Sequence, residues 1–227
     1  MSDIADWQPS SESPYLQAGD LHIWKLDLSI SSAKLRAHLS ADEQQRVAKL
    51  ISPEERKHFI AARGQVREIL ARYAGCNAVE IRFGYGEMGK PELVSSTSGI
   101  EFNLSHSGDL GLLAVTRGNP VGIDLEPVTA RRNTRRIAER IFDQETLEQL
   151  RRLDEDEFIT AFCTRWTQLE AKVKALGQGV FKRTERAMGL EAHTFRPHET
   201  WIAAVAAEQP LPGMERWKLF RLDDHHP

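Results

Sequence analysis

From Val121 to Pro127 the chain reads Val-Gly-Ile-Asp-Leu-Glu-Pro, an alternation of apolar and polar residues that an extended strand sorts onto two faces. Val121, Ile123 and Leu125 go to one face, toward a core. Gly122, Asp124 and Glu126 go to the other. Carboxylates two residues apart on one strand face lie roughly 7 Å apart at their Cα atoms. That spacing suits one hard cation held between them and leaves the two charges repelling each other without one. Gly122 keeps the same face clear, so that a bulky ligand can approach the backbone. A plainer reading stands beside this one: an edge strand with a solvated acidic face. The seven residues alone do not choose between the two.

The rest of the chain narrows the setting. At 227 residues it can bury a core as one large domain or as two small ones. The formal net charge of -3 gives no general pull toward nucleic acid or an anionic membrane, so any anion site must be local. The start, Met1 to Asp6, is acidic and lacks the apolar run of a secretory signal, and no stretch reaches the length of a membrane span. Cys76 and Cys163 offer neither a disulfide framework nor a zinc spacing, so a reducing, cytoplasmic setting is expected.

Turn and cap signals divide the chain. Residues 1–20 are expected to be loosely ordered, and Leu21 to Leu28 reads as a first strand. Ser40-Ala41-Asp42-Glu43 has capping-box form, and Ser52-Pro53-Glu54-Glu55 repeats the signal with proline at the first helical position. The second helix is long, carries an apolar stripe from Phe59 to Tyr73, and ends at Gly75. Its other face holds Arg56, Lys57, Arg63 and Arg67, either a solvated basic face or an anion site. Strands are expected at Val79–Phe83, Glu92–Val94, Glu101–Leu104 and Leu110–Thr116. The Arg117-Gly118-Asn119-Pro120 turn then leads into the acidic strand. A helix carrying Arg131, Arg132, Arg135, Arg136 and Arg140 follows, and Asp143-Gln144-Glu145 caps another. The longest helix, about Asp156 to Leu176, has Phe158, Phe162, Trp166, Leu169, Val173 and Leu176 on one stripe. Strands at about Thr200–Ala207 and Arg216–Leu222 close the chain. The fold class is α+β, with an N-terminal half over 1–118 and a C-terminal half over 119–227, each reading strand, helices, strands.

Single motifs are weak. Glu170 and Lys174, one turn apart, form by themselves an ordinary surface pair worth a few tenths of a kcal/mol. Ser105-His106 is turn chemistry after a strand, and Gly89-Lys90-Pro91 is a turn with a charged tip. Their order changes the odds: Gly89-Lys90-Pro91, Phe102-Asn103-Leu104-Ser105-His106-Ser107, Val121-Gly122-Ile123-Asp124-Leu125-Glu126, Phe142-Asp143-Gln144-Glu145, and Trp166-Thr167-Gln168-Leu169-Glu170-Ala171-Lys172-Val173-Lys174. This set resembles the 4'-phosphopantetheinyl transferases of the long, monomeric, surfactin-synthetase-activating type. The resemblance covers about Leu21 to Leu222.

The resemblance implies two similar α+β halves with coenzyme A in the cleft between them. It implies transfer of the 4'-phosphopantetheine arm from coenzyme A to a serine of an apo acyl or peptidyl carrier protein, with release of adenosine 3',5'-bisphosphate. By similarity Asp124, Glu126 and Glu170 would hold Mg²⁺ against the pyrophosphate, and Lys174 and His106 would contact phosphate oxygens. Lys90 and Ser105 would line the coenzyme A cleft, and Arg63 would reach the nucleotide phosphates, with Arg56 also at hand. Attack by a neutral hydroxyl on a pyrophosphate builds charge on the leaving phosphate, which a metal and fixed cations offset. A metal-bound water or Glu170 would take the serine proton.

One position departs from the family's pattern. Leu169 stands where the family usually has lysine before the helix glutamate; its place on the apolar stripe assigns it to packing, with Lys172 or Lys182 available to compensate. The basic segment with Arg131, Arg132, Arg135 and Arg136 follows the acidic strand directly and is expected to meet the acidic carrier, or else to be a solvated face. A monomer that binds neither nucleic acid nor membrane is expected. Two other functions compete: a coenzyme A or nucleotide binding module without turnover, and a metal-dependent phosphodiesterase acting on small pyrophosphates.

Overall fold

The computed structural model describes residues 4–10, 14–94, 99–130, 133–182 and 184–223, with the backbone alone at Lys182. In chain order come β1 (Gln8–Ser10), β2 (His22–Asp27), α1 (Ala33–Ala37), α2 (Ala41–Lys49), α3 (Pro53–Ala74), β3 (Phe83–Tyr85), β4 (Pro91–Leu93), β5 (Ile100–Ser107) and β6 (Leu110–Arg117). These are followed by β7 (Val121–Pro127), α4 (Thr134–Ile141), α5 (Gln144–Arg151), α6 (Glu155–Ala175), α7 (Glu185–Met188), β8 (Ala192–Phe195), β9 (Trp201–Ala207) and β10 (Lys218–Leu222).

Caps set the helix ends. The Ser52 side chain accepts the Glu55 backbone N–H at 3.3 Å, Pro53 opens α3, and Gly75 closes it in the left-handed conformation at φ 66°. Asp154 accepts from the Glu157 N–H at 2.9 Å and starts α6. Each long helix then covers one sheet. Strands in the order β1-β10-β2-β6-β5 form the first sheet, and β7-β9-β8 form the second. Period-two alternation sorts the side chains of both. Trp24, Leu26, Leu113 and Val115 face α3, where they pack on Ala62, Val66, Ile69 and Leu70. Ile23, Leu112 and Ala114, from the opposite face of the first sheet, meet Val121, Ile123 and Leu125 of β7 and Ala203 and Val205 of β9. The outer face of the second sheet receives α6 through small residues, Ala171 against Ala204 and Ala206. The result is an α+β molecule of four layers: helix, sheet, sheet, helix.

Several expectations change. Asn77 and Glu80 form a capping box that turns Ala78–Glu80 into a 3-10 segment, so the strand expected from Val79 begins only at Phe83. Within the first twenty residues, Gln8–Ser10 is a strand, paired in parallel with Phe220–Leu222, and Trp7 Nε1 donates to the Pro197 carbonyl at 3.1 Å. Because β10 lies between β1 and β2, the last described strand joins the first sheet, and the connection crosses the 118/119 division. Among the described residues no helix is long and apolar enough to cross a membrane.

Gly122 gives the clearest correction. The face it was expected to open to a ligand is occupied by α6: a Cβ built on Gly122 would lie 2.1 Å from the Ala171 carbonyl oxygen and 2.3 Å from the Ala175 nitrogen. The glycine lets strand and helix backbones touch, and this close crossing brings α6 side chains over Asp124.

Candidate active site

β7 is an outer strand of its sheet, yet Asp124 is only 4% exposed, which removes the solvated-face reading. Asp124 Oδ1 accepts from Lys174 Nζ at 2.6 Å and from Ser105 Oγ at 3.0 Å. Lys174 also donates to Ser105 Oγ at 3.4 Å. Asp124 Oδ2 is buried with no hydrogen-bond partner. Glu126 Oε1 accepts from Trp166 Nε1 at 3.0 Å, and Glu170 Oε2 lies 3.9 Å from Lys174 Nζ. Trp166, Glu170 and Lys174 follow one another at intervals of four on α6, so one helix face delivers all three. The Glu170–Lys174 couple is therefore not a surface pair: its lysine turns to the buried aspartate.

These residues, with His106 and Ser107 from β5, line one cavity of about 360 Å³. It holds three carboxylates against one ammonium. Burial is the chief reason the Glu170 carboxyl is raised above its usual range; Lys174 opposes the shift, and the charges of Asp124 and Glu126 add to it. His106 is lowered below its usual value, first by burial and then by His58 and Lys174, which favours a neutral imidazole.

Among the described residues no group of three or more His, Cys, Asp or Glu side chains is placed so that it could hold a metal ion as it stands. Trp166 engages one Glu126 oxygen and Lys174 one Asp124 oxygen. The donor set nevertheless fits Mg²⁺, which takes one or two carboxylates and fills its remaining positions with water and substrate oxygens. The unpartnered Asp124 Oδ2 is the oxygen such an ion would satisfy.

A second cavity, of about 470 Å³, shares His106 with the first and is lined by Arg46, His58, Phe59 and Arg63 among others. Arg63 Nε stands 3.3 Å from Glu43 Oε1, and the Arg63 guanidinium lies 4.7 Å from the Phe83 ring centre. Arg46 covers Phe59 at 5.0 Å. Arg56 does not line this cavity. Arg67, counted on the basic face of α3, is instead 2% exposed and bonded to Glu43 at 2.7 Å and to the carbonyls of Ala78 and Ile81. Lys90 lies apart from both cavities. It lines another, of about 430 Å³, that shares no lining residue with the cavity of Asp124.

Leu169 is buried with Ile141, Val173 and Val180, as its stripe position implies. Lys172 donates to the Met188 carbonyl at 3.2 Å and does not line the Asp124 cavity; the Lys182 side chain lies outside the described residues. Of the basic segment, Arg131 and Arg132 also lie outside them. Arg135 is engaged, donating to Glu155 at 2.5 Å and covering Phe158 at 4.1 Å, while Arg136 is exposed. Sequence reading missed Trp166 as a site residue because it sits on the apolar stripe; its spacing of four from Glu170 was the available signal. Arg46 and His58 carried no signal, since only the folding of α2 and α3 beside β5 brings them near His106.

Residues 120–218 match the model of the 4'-phosphopantetheinyl transferase superfamily, and residues 28–118 match that described as 4'-phosphopantetheinyl transferase, N-terminal. The 4'-phosphopantetheinyl transferase HetI of Nostoc sp. (strain PCC 7120) is 35% identical over 189 residues, which cover 81% of this chain and 80% of HetI. The 4'-phosphopantetheinyl transferase Sfp of Bacillus subtilis (strain 168) is 28% identical over 176 residues, 71% of this chain and 73% of its own. The 4'-phosphopantetheinyl transferase ffp of Bacillus subtilis is 25% identical over 175 residues, 76% and 72% of the two chains.

Proposed function

The chain belongs to the 4'-phosphopantetheinyl transferase family, and on that premise we propose that it moves the 4'-phosphopantetheine arm of coenzyme A onto a serine hydroxyl of an apo carrier protein. A bond forms between the serine oxygen and the pantetheine-side phosphorus, the pyrophosphate bond to that phosphorus breaks, and adenosine 3',5'-bisphosphate leaves. One observation carries the reading: Asp124, whose second carboxylate oxygen is buried and unpartnered, lines one cavity together with Glu126, Glu170, Lys174 and His106.

Asp124, Glu126 and Glu170 are the residues that would hold Mg²⁺. When bound, the ion supplies charge stabilisation to the pyrophosphate oxygens. Lys174, bonded to Asp124, lines the same cavity, where its ammonium can donate to a phosphate oxygen as charge develops on the leaving group. His106, at the join of the two cavities, serves as a neutral donor to phosphate; Ser105 braces Asp124 and Lys174. Glu170 takes the serine proton. Its nearest cation, Lys174, is 3.9 Å away, whereas one oxygen of Asp124 and one of Glu126 already accept hydrogen bonds. The cavity with Arg46 and Arg63 shares His106 with the first and offers guanidiniums and aromatic rings to the nucleotide of coenzyme A.

Intact-mass measurement on a panel of apo carriers, each incubated with the protein, coenzyme A and Mg²⁺, tests this. At least one carrier should gain the mass of one phosphopantetheine, and Asp124→Ala should lower the rate by about 10²-fold or more. Coenzyme A binding with no carrier modified would refute transfer and leave a binding module.

A further inference from the structure

The strand that carries Asp124 and Glu126 has one backbone edge paired with β9 and the other turned toward β5, without ladder bonds between them. Backbone groups on a buried edge need partners. Two side chains from the first half of the chain provide them. Asn103 Oδ1 accepts from the Ile123 N–H at 2.9 Å, and Lys90 Nζ donates to the Val121 carbonyl at 3.1 Å. Residues two apart on a strand direct their backbone groups to the same edge, so Asn103 and Lys90 act side by side.

Lys90 makes a second bond of the same kind. Its ammonium donates at 3.0 Å to the carbonyl of Ala175, the last residue of α6. That carbonyl is one of the final four that no later turn of the helix can reach, and a cation there also meets the negative end of the helix dipole. The stem of Lys90 passes Gly177, with Cδ 3.9 Å from where a Cβ would stand. One ammonium thus joins the β3–β4 hairpin, the start of β7 and the end of α6. It does so where Gly122 touches Ala171 and Ala175, and Lys174 is the residue next to its carbonyl partner.

We propose that Lys90 is a positioning residue for the transfer site, holding the crossing of β7 and α6 through the Val121 and Ala175 carbonyls, and is not a ligand of coenzyme A. The catalytic consequence rests on the function proposed above; the structural consequence does not. Without Lys90 the end of α6 loses its tie to β7, and Glu170 and Lys174 lose their fixed place over Asp124. A misplacement of about 1 Å in such a constellation lowers turnover on the order of 10²-fold.

The test uses Lys90→Met and Lys90→Arg in the full chain, with hydrogen exchange, steady-state kinetics and calorimetric titration of coenzyme A. In Lys90→Met, amides of 121–126 and 170–176 should exchange about tenfold faster or more. Turnover should fall on the order of 10²-fold, while the KM and Kd for coenzyme A stay within about twofold. Lys90→Arg keeps N–H donors for both carbonyls and should recover the protection and most of the turnover. A Kd for coenzyme A weakened about tenfold with exchange at the wild-type level would overturn the proposal, as would wild-type exchange and turnover in Lys90→Met. If the wild type modifies no carrier, the functional reading falls, and exchange in Lys90→Met still decides where Lys90 acts.

Discussion

His22 is fully buried, with Nδ1 2.8 Å from the Tyr73 hydroxyl and Nε2 unpartnered. The same hydroxyl accepts from Trp24 Nε1 at 2.8 Å, so its proton is available to His22. Burial pushes His22 down from 6.5 to about 4, with Lys218 adding to the shift and Asp20 opposing it. The unfolded chain therefore binds a proton near 6.5 that the folded chain refuses until about 4. The stabilisation is complete above the unfolded value and disappears as pH falls through that window, about 3 kcal/mol in all. Urea midpoints from pH 7 to pH 4 should show the wild type losing its advantage over His22→Gln as the solution is acidified. A constant difference between the two would count against a buried neutral His22. Arg67 shows the limit of reading residues one by one: it shares the basic face of α3 with Arg63, yet it is buried against Glu43 while Arg63 lines a cavity. Charge was legible in the sequence; which of two like charges reaches solvent depends on neighbours far along the chain.

The decisive element contact is the crossing of β7 and α6. A methyl group at position 122 would press on the Ala171 carbonyl and the Ala175 nitrogen, backbone atoms that cannot turn aside as a side chain can. Gly122→Ala should therefore cost about 3 kcal/mol or more, which for a chain of this size lowers Tm by about 6–12 °C. Calorimetry and the carrier assay should register loss of both stability and transfer, because the helix can relieve the clash only by leaving Asp124. A variant that melts with the wild type would contradict the contact. The alternation in 121–127 and the caps at Ser52 and Asp143 announced these elements correctly, since both signals are local. The short β1 and β8 were not announced, because a three- or four-residue strand is stabilised by its partner rather than by its own pattern.

Across the whole molecule, charge is sorted by position rather than in sum. The formal net charge is -3, yet Arg136 and Arg140 are exposed one turn apart on α4, with Arg140 lying 5.5 Å from the centre of the exposed Phe181 ring. An acidic carrier protein steered to this face would feel both arginines. Arg136→Glu with Arg140→Glu should raise the KM for the carrier about tenfold and leave the KM for coenzyme A unchanged. The wild-type KM for the carrier should also rise with salt as screening shortens the reach of the field. Equal carrier kinetics in the double variant would place docking elsewhere. The return of β10 into the first sheet, between β1 and β2, belongs to this scale as well: it makes the folding of the first sheet depend on the last described strand.

The amino-acid order by itself determined the α+β class, the long helices with their caps, the strand bearing Asp124 and Glu126, and the helix face bearing Glu170 and Lys174. Each of these follows from periodicities and capping interactions that act within a few residues. Only the tertiary structure decided that Gly122 receives a helix instead of a ligand, that Lys174 reaches Asp124, that Trp166 holds Glu126, and that Lys90 bonds two carbonyls away from the site. Those outcomes depend on which backbone can approach which across a layer boundary, and that distance is set by the packing of segments far apart in the sequence, from 31 residues for Lys90 and Val121 to 85 for Lys90 and Ala175.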